Sequence, residues 1–385
     1  MSSIKDVAKL AGISVSTVSR VINQNASVDE ETSAKVKEAI RKLNYKPNLM
    51  ARTLRQQKGR LIRTTGPTYA VYDHYREYAK AGEPYPGSPG KGKKLGFASV
   101  FGTQPFCIEV EQNIIKQAQL AGFNEHELII LDNQYDADIG LEIAEAMLAK
   151  KPDVFIEHQA DVKVNNIIAA KFAEAGIPII AVDVPVPGSP FMGVNNWQVA
   201  TMGGKYMAQL IKTKWGGWDA VDLVVLLQNP VGGETTMLRS EGFAVALAEV
   251  FGDIVEAKII RTDGGIGESD QAKAAMDDVL VTYPEARRIA VTSLNEETMS
   301  GVIVALQRWR PDDLIVITLG VDDLGKLQIR KGLSDAGVAF FPEKYGEYLV
   351  PAACTLLEGS PIPSHLYIEN AIITKENIDQ FYPLR

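Results

Sequence analysis

Apolar positions recur at two different periods along this chain, and the change of period divides it. Near the start, Ile4, Val7, Ala8 and Ala11 fall on one face of a short helix. Gly12 can end that helix cheaply in the left-handed conformation. Ser14 can then cap a second helix over 15–23, whose apolar stripe is Val18, Val21 and Ile22. A third stripe, Val36, Ala39, Ile40 and Leu43, follows a cap at Ser27 or Asp29 and stops at Tyr45–Pro47. Tyr69, Tyr72, Tyr75 and Tyr78 recur every three residues and predict a helix carrying aromatic groups on one face. From Leu95 the pattern changes to short apolar runs separated by helical stretches. Strands are expected at 95–100, 128–131, 154–156 and 177–182. A second round is expected at 221–227 and near 255–261, 288–292, 314–319 and 337–341.

Two helices joined by a tight glycine turn, the second polar on its outer face, form a helix-turn-helix. Strands alternating with crossover helices imply parallel sheets covered on both faces, and two rounds imply two similar subdomains. The expected fold class is therefore α/β, a three-helix head followed by a two-lobed body with parallel sheets. The expected boundaries are a head at 1–47, a hinge helix at 48–63, a connector rich in Pro, Gly and Tyr at 64–94, and a body at 95–385. The tyrosine stripe is most simply a helix docked on the body. The stretch 83–94, with three prolines and three glycines, should be extended and mobile. So long a joint would weaken coupling between body and hinge.

Charge changes this picture. The net charge of −8 argues against a nucleic-acid partner, but its distribution reverses the argument. Residues 1–63 hold 13 Lys or Arg against 5 Asp or Glu, a net of +8; the remainder holds 27 against 43, a net of −16. A basic head on an acidic body is expected when only the head meets phosphate. The two cysteines, Cys107 and Cys354, suit a reducing compartment without a disulfide framework. With no signal-like start and no membrane-length apolar run, the chain is expected in the cytoplasm.

The second helix carries Arg20, whose forked donors can read guanine bidentately. Ser14, Thr17, Ser19 and Asn23 can hold phosphates. The run Ile4 to Ala8, Gly12-Ile13-Ser14, Thr17 to Asn23, Asn44 to Asn48 and Ala51-Arg52-Thr53-Leu54 resembles the DNA-binding head of the lactose and galactose repressor family, without gaps from residue 3 to 61. The resemblance implies a recognition helix in the major groove, with Val15, Ser16 and Arg20 at base edges. It also implies a hinge helix whose Leu54 wedges into the minor groove, lined by Ala51, Arg52 and Arg55. Such a wedge unstacks a base step at a few kcal/mol, which a wider contact offsets.

In open α/β sheets ligands bind beyond the carboxyl ends of strands. Glu157, His158, Asp183, Asn195, Asn196, Gln228, Asn229, Arg239, Ser293, Asn295, Glu296 and Asp322 stand there, with Phe106, Trp197 and Phe341 as aromatic neighbours. Planar amides, carboxylates and one arginine beside aromatic faces suit a neutral polyhydroxylated ligand. The expected binding set is Phe106, Glu157, Asp183, Asn195, Trp197, Arg239, Asn295, Asp322 and Phe341. Pro105-Phe106, Asn195-Asn196, Arg239 ahead of Gly242-Phe243, Ser293 to Glu296 and Gly320 to Asp323 resemble the type I periplasmic sugar-binding fold, the body also found in that repressor family. The resemblance implies that Asp322 and Arg239 grip ligand hydroxyls, Asn295 adds a contact and Phe106 stacks.

The four histidines form no cluster and His158 has no ligand partner at metal spacing, so no metal or cofactor is expected. The stretch 262–268 lacks the pattern of a nucleotide-binding loop. With no nucleophilic elbow, no enzyme is expected. The chain reads as a repressing regulator that binds a pseudo-palindromic DNA operator as a homodimer under control of a small carbohydrate, without a membrane partner. The alternative is a sugar receptor whose DNA-binding head is grafted or uncoupled.

Overall fold

The computed structural model describes residues 4–14, 17, 18, 21, 30–43, 69–230, 232–309 and 313–384. The chain divides into two compact units, Met1–Thr65 and Gly66–Arg385.

In the first unit α1 (Ile4–Ala11) and α2 (Glu30–Lys42) pack together. Val7, Ala8, Val18, Val21, Val36 and Ala39 form the buried core, one set of residues per expected helix. Gly12 takes φ +68°, as a left-handed helix end requires. Ser14 caps the next turn, its Oγ accepting from the Thr17 N–H at 3.1 Å. Thr17 Oγ1 lies 2.9 Å from Ser14 Oγ. Val15, Ser16, Arg20, Asn23, Ala51, Arg52, Leu54 and Arg55, and the hinge at 48–63, lie outside the described residues.

The second unit opens with α3 (Ala70–Ala81), the tyrosine helix. Its stripe is buried at Tyr72, Tyr75 and Ala79 against the body. The stretch 83–94 is not the extended, mobile linker its composition predicts. It is a series of turns fastened to the body: Tyr85 is buried, its N–H donates to the Leu120 carbonyl at 2.8 Å, and the Gly90 N–H donates to the Ala121 carbonyl at 2.9 Å. The aromatic ring at Tyr85 supplies the apolar burial that a Pro/Gly count does not register.

The body has two lobes. In lobe I the sheet runs β11-β5-β4-β3-β1-β2, from β1 (Leu95–Ser99), β2 (Leu128–Asp132), β3 (Val154–Glu157), β4 (Ile179–Val182), β5 (Phe191–Gly193) and β11 (His365–Tyr367). Its helices include α4 (Pro105–Leu120), α5 (Ala137–Lys150) and α6 (Val162–Ala175). In lobe II the order is β12-β10-β9-β8-β6-β7, from β6 (Leu223–Gln228), β7 (Ile259–Asp263), β8 (Arg288–Thr292), β9 (Asp313–Leu319), β10 (Ala336–Ala339) and β12 (Ala371–Thr374). Helices α7 (Asn196–Trp215), α8 (Gly233–Phe251), α9 (Ser269–Thr282), α10 (Glu296–Trp309) and α11 (Asp323–Arg330) belong to it.

Each sheet is parallel except that β12 runs antiparallel to β10, a departure from the all-parallel expectation. The short edge strands β5, β11 and β12 carry too little periodicity to be read from sequence. The chain passes between lobes three times, after β5, after β10 and after β11. The second passage leads into α12 (Gly346–Leu357), which returns to lobe I and packs on α4, β3 and β4. α13 (Ile378–Phe381) closes the chain against α11 and β12.

Candidate ligand cleft

The carboxyl ends of both sheets face one cleft, with a cavity volume of about 120 Å³. At on the order of 10–15 Å³ per water-sized position, it holds roughly ten such positions. Lobe I contributes Phe106, Tyr135, His158 and Asp183; lobe II contributes Asn229, Arg239, Asn295, Asp322 and Phe340.

Asp183 follows β4 in the left-handed region, φ +55°, an unusual conformation for a residue with a side chain. The Tyr345 hydroxyl donates to its carboxylate, 3.0 Å from Oδ1 and 3.2 Å from Oδ2, and the Val194 N–H donates to Oδ1 at 3.2 Å. Gly193 makes room: a Cβ there would stand 2.4 Å from Asp183 Oδ1. Tyr345 is fully buried; burial and the Asp183 carboxylate push its phenol well above the usual range, so it stays a donor. Its ring meets Phe106 edge-on at 5.5 Å. His158 Nε2 lies 3.7 Å from Asp183 Oδ2. Burial holds the imidazole below its ordinary range despite that carboxylate. The contact is therefore dipolar at neutral pH rather than an ion pair.

On lobe II, Asp322 caps α11, its Oδ1 accepting from the Leu324 and Gly325 N–H groups at 2.9 and 3.0 Å. Its own N–H donates to Glu296 Oε1 at 2.7 Å. Burial first, then Asp322, raises the Glu296 carboxyl well above the usual range. Gly320, at φ +91°, lies so close that a Cβ would stand 2.3 Å from Glu296 Oε1. Asn295 caps α10 by accepting from the Thr298 N–H at 2.9 Å, and its Nδ2 donates to the Gly267 carbonyl at 3.4 Å. Arg239 Nε donates to Asn196 Oδ1 at 2.6 Å, and its guanidinium lies 5.2 Å from the Phe340 ring centroid. Across the cleft, Asn229 Nδ2 donates to the Tyr135 hydroxyl at 3.2 Å.

Phe106, Asp183, Arg239, Asn295 and Asp322 thus come together as expected from strand ends. Four others do not line the cleft. Glu157 is fully buried on the far side of β3's end, accepting from Asn133 Nδ2 at 2.9 Å, while the next residue, His158, faces the cleft. Burial pushes the Glu157 carboxyl up to about 8. Phe341 turns away to Phe381 and Tyr382, leaving Phe340 in the wall. Asn195 caps α7, accepting from the Gln198 N–H at 3.1 Å, and its neighbour Asn196 holds Arg239. Trp197 is half-buried on α7 outside the wall. For Glu157 the physical reason is side-chain alternation, adjacent residues at a strand end pointing to opposite faces; for Phe341 it is the left-handed turn past the end of β10, at φ +51°.

Tyr135, Asn229 and Phe340 enlarge the expected set. Tyr135 stands just past the end of β2, a strand end that a complete survey would include; Tyr345 has no comparable signal. Cys107 lines the wall, but burial pushes its thiol up to about 12, which makes it unreactive. Among the described residues no group of three or more His, Cys, Asp or Glu could hold a metal ion. Among them, too, no helix is long and apolar enough to cross a membrane.

Comparison with known proteins agrees with this architecture. The model for bacterial regulatory proteins of the lacI family matches residues 3–48, and that for the periplasmic binding protein domain matches 95–361. The chain is 56% identical over 61 residues to the HTH-type transcriptional regulator RegA of Clostridium acetobutylicum, an alignment covering 16% of this chain and 18% of that protein. It is 27% identical over 322 residues to the HTH-type transcriptional repressor PurR of Mannheimia succiniciproducens, covering 82% of this chain and 81% of that one. Among solved structures, a periplasmic solute binding protein of an ABC transporter from Actinobacillus succinogenes, with bound D-allose, superposes with a TM-score of 0.64 at 19% identity. That superposition covers 75% of this chain and 99% of the other. The chain belongs, by the body that makes up most of it, to the periplasmic binding protein domain family, and its first residues match the lacI family of bacterial regulatory proteins.

Proposed function

We propose that this protein is a cytoplasmic, ligand-responsive transcription repressor that binds a pseudo-palindromic operator as a homodimer. A small carbohydrate in the interlobe cleft sets its operator affinity. The observation that carries the ligand class is the cleft wall: the Asp183 and Asp322 carboxylates and the Arg239 guanidinium between the aromatic faces of Phe106 and Phe340, in a cavity of about 120 Å³. Carboxylates and amides pair with vicinal hydroxyls, and aromatic rings cover the apolar face of a sugar ring. The similar transport protein with bound D-allose supports the same class.

In this reading Asp322 and Arg239 grip hydroxyls from lobe II, Asp183 and His158 from lobe I, and Asn295 adds a contact. On the head, Val15, Ser16 and Arg20 read base edges. Thr17 and Asn23 hold phosphate, and Leu54 wedges into the minor groove between Ala51, Arg52 and Arg55. Two-fold symmetry of the dimer mirrors that of the operator.

The test is selection from a randomised DNA pool with the full-length protein at near-physiological salt, followed by titration of monosaccharides and cyclic polyols into the selected complex. The expected result is one enriched pseudo-palindrome whose affinity shifts with one sugar. A pool that stays random, with binding lost steeply as salt rises, would leave only phosphate contacts and favour a sugar receptor with an uncoupled head.

A further inference from the structure

The tyrosine helix has no counterpart in the ligand cleft, yet its contacts lead there. α3 lies along α12. The Arg76 guanidinium sits 3.5 Å from the Tyr348 ring centroid, and its Nη1 is 3.2 Å from Glu347 Oε2, with both charged side chains largely buried. At the other end of α12 the Tyr75 hydroxyl donates to the Glu358 carboxylate. Gln117 on α4 ties the end of α3 down, donating to the Ala79 carbonyl at 3.0 Å and accepting from the Tyr85 hydroxyl at 2.9 Å. The helix is thus clamped at three points.

The residues Arg76 holds are the first turn of α12. Tyr345 immediately precedes that helix, and its hydroxyl holds Asp183 in the cleft. Tyr345 and Tyr348 are less than one helical turn apart, about 4.5 Å of rise. The passage entering this turn, 340–345, is one of the three between lobes. Its Phe341 sits at φ +51°, where a non-glycine residue is held by its surroundings. Any change in the angle between the lobes would act on the chain next to Arg76's partners. By chain order, α3 is also the first body element after the head-containing unit, which ends at Thr65.

Resting on the function proposed above, we infer that α3 is the element through which cleft occupancy reaches the DNA-binding segment. Arg76 is its positioning residue, fixing α3 to the turn that carries Tyr345. Residues 70–94 belong to the body, so they add no length to the joint between body and head. Of the three clamps, Arg76 is the one that reaches the first turn of α12; without it that turn can shift while α3 stays held at Glu358 and Gln117.

The test uses the full-length protein, a DNA duplex selected by the wild type, and whichever of D-ribose, D-allose or myo-inositol it binds most tightly. Operator affinity is measured with and without the sugar, and sugar affinity by calorimetry. Wild type should show a sugar-dependent change of about tenfold or more. In Arg76→Met, sugar affinity and sugar-free operator affinity should stay within about twofold of wild type while the sugar-dependent change falls below about twofold. Arg76→Lys, which keeps the charge but not the stacking fork, should restore part of it. A full response in Arg76→Met overturns the inference. Should that variant unfold, hydrogen exchange of wild-type α3 amides with and without sugar decides: altered protection supports the relay, unaltered protection overturns it. Altered protection without any operator response would instead remove the proposed control of DNA binding and leave the link from cleft to α3 standing.

Discussion

The two walls of the cleft each offer a carboxylate, and they hold it in opposite ways. Asp322 on lobe II is fixed locally. It sits at φ −75° and accepts from N–H groups two and three residues ahead. Asp183 on lobe I is fixed from afar. It sits at φ +55° and is held by a hydroxyl 162 residues along the chain, on a passage between lobes. A left-handed non-glycine residue costs on the order of 1–3 kcal/mol. A hydrogen bond to a charged group contributes about 1.5–3 kcal/mol and offsets that cost. The difference matters for control. The lobe II carboxylate is held within its own lobe, whereas that of lobe I is held by a segment that passes between the lobes.

The largest effect should come from the local side. Asp322→Asn keeps the cap, since asparagine caps a helix as well as aspartate, and removes the charge that accepts from sugar hydroxyls. Sugar affinity should fall at least about 100-fold, equivalent to about 2.7 kcal/mol, with urea unfolding unchanged. Calorimetry showing unaltered affinity would remove Asp322 from the proposed site. Asp322→Ala should add a stability loss of about 1 kcal/mol from the missing cap.

Lobe I carries a pH dependence that its partner site does not need for function. Glu157 is raised to about 8 by burial, and Glu109, on α4 facing Lys326, to about 7 for the same reason. A carboxyl raised on folding binds its proton more tightly in the folded state. Stability is then full below the unfolded pKa near 4.5 and declines as pH rises toward the folded value. The slope approaches about 1.4 kcal/mol per pH unit for one group. Glu157→Gln keeps the acceptor for Asn133 and cannot ionise. It should remove about 2 kcal/mol of the decline between pH 6 and 7.5, leaving the part due to Glu109, Glu296 and the other carboxyls that burial raises. Parallel pH profiles for variant and wild type would show that Glu157 titrates normally.

How much of this was legible in the sequence follows the same division. Local devices were: the Gly12–Ser14 turn and cap, the alternation of strands and helices, and Asp322 past the end of β9 all lie within a few residues of their causes. β8 appears over 288–292, as the periodicity predicts. What the sequence left ambiguous was the face at a strand end. Glu157 was expected where His158 stands because a period of two makes neighbours indistinguishable until the register is known, and Phe341 where Phe340 stands because the left-handed turn past the end of β10 does not show in that period. Non-local devices were not legible at all. Nothing near Tyr345 announces that it serves Asp183, and the composition of 83–94 hides the burial of Tyr85.

The distant handle itself should give the next effect in size. Tyr345→Phe leaves the Asp183 carboxylate without its hydroxyl donor while preserving the ring against Phe106. Stability should drop by about 1–2 kcal/mol, and sugar affinity by roughly tenfold, which is about 1.4 kcal/mol. Asp322→Asn should separate these two readouts and Tyr345→Phe should move both, so urea unfolding and calorimetry on the pair test the comparison directly. If Tyr345→Phe changed neither, Asp183 would be as locally held as Asp322.

The smallest effect lies where the chain first enters lobe II, at adjacent asparagines with different work. Asn195 caps α7, a local task, and Asn196 accepts from Arg239 on α8, a non-local one. Asn195→Ala should cost about 1 kcal/mol of stability and leave sugar affinity alone, since Asn195 does not line the cleft. Asn196→Ala frees the Arg239 fork from its 2.6 Å partner, so affinity should fall by a few-fold, about 0.5–1.5 kcal/mol, while the cap stays intact. A reversed outcome, with Asn195→Ala losing affinity at unchanged stability, would return Asn195 to the binding set and show that this junction rearranges when the lobes close on a ligand.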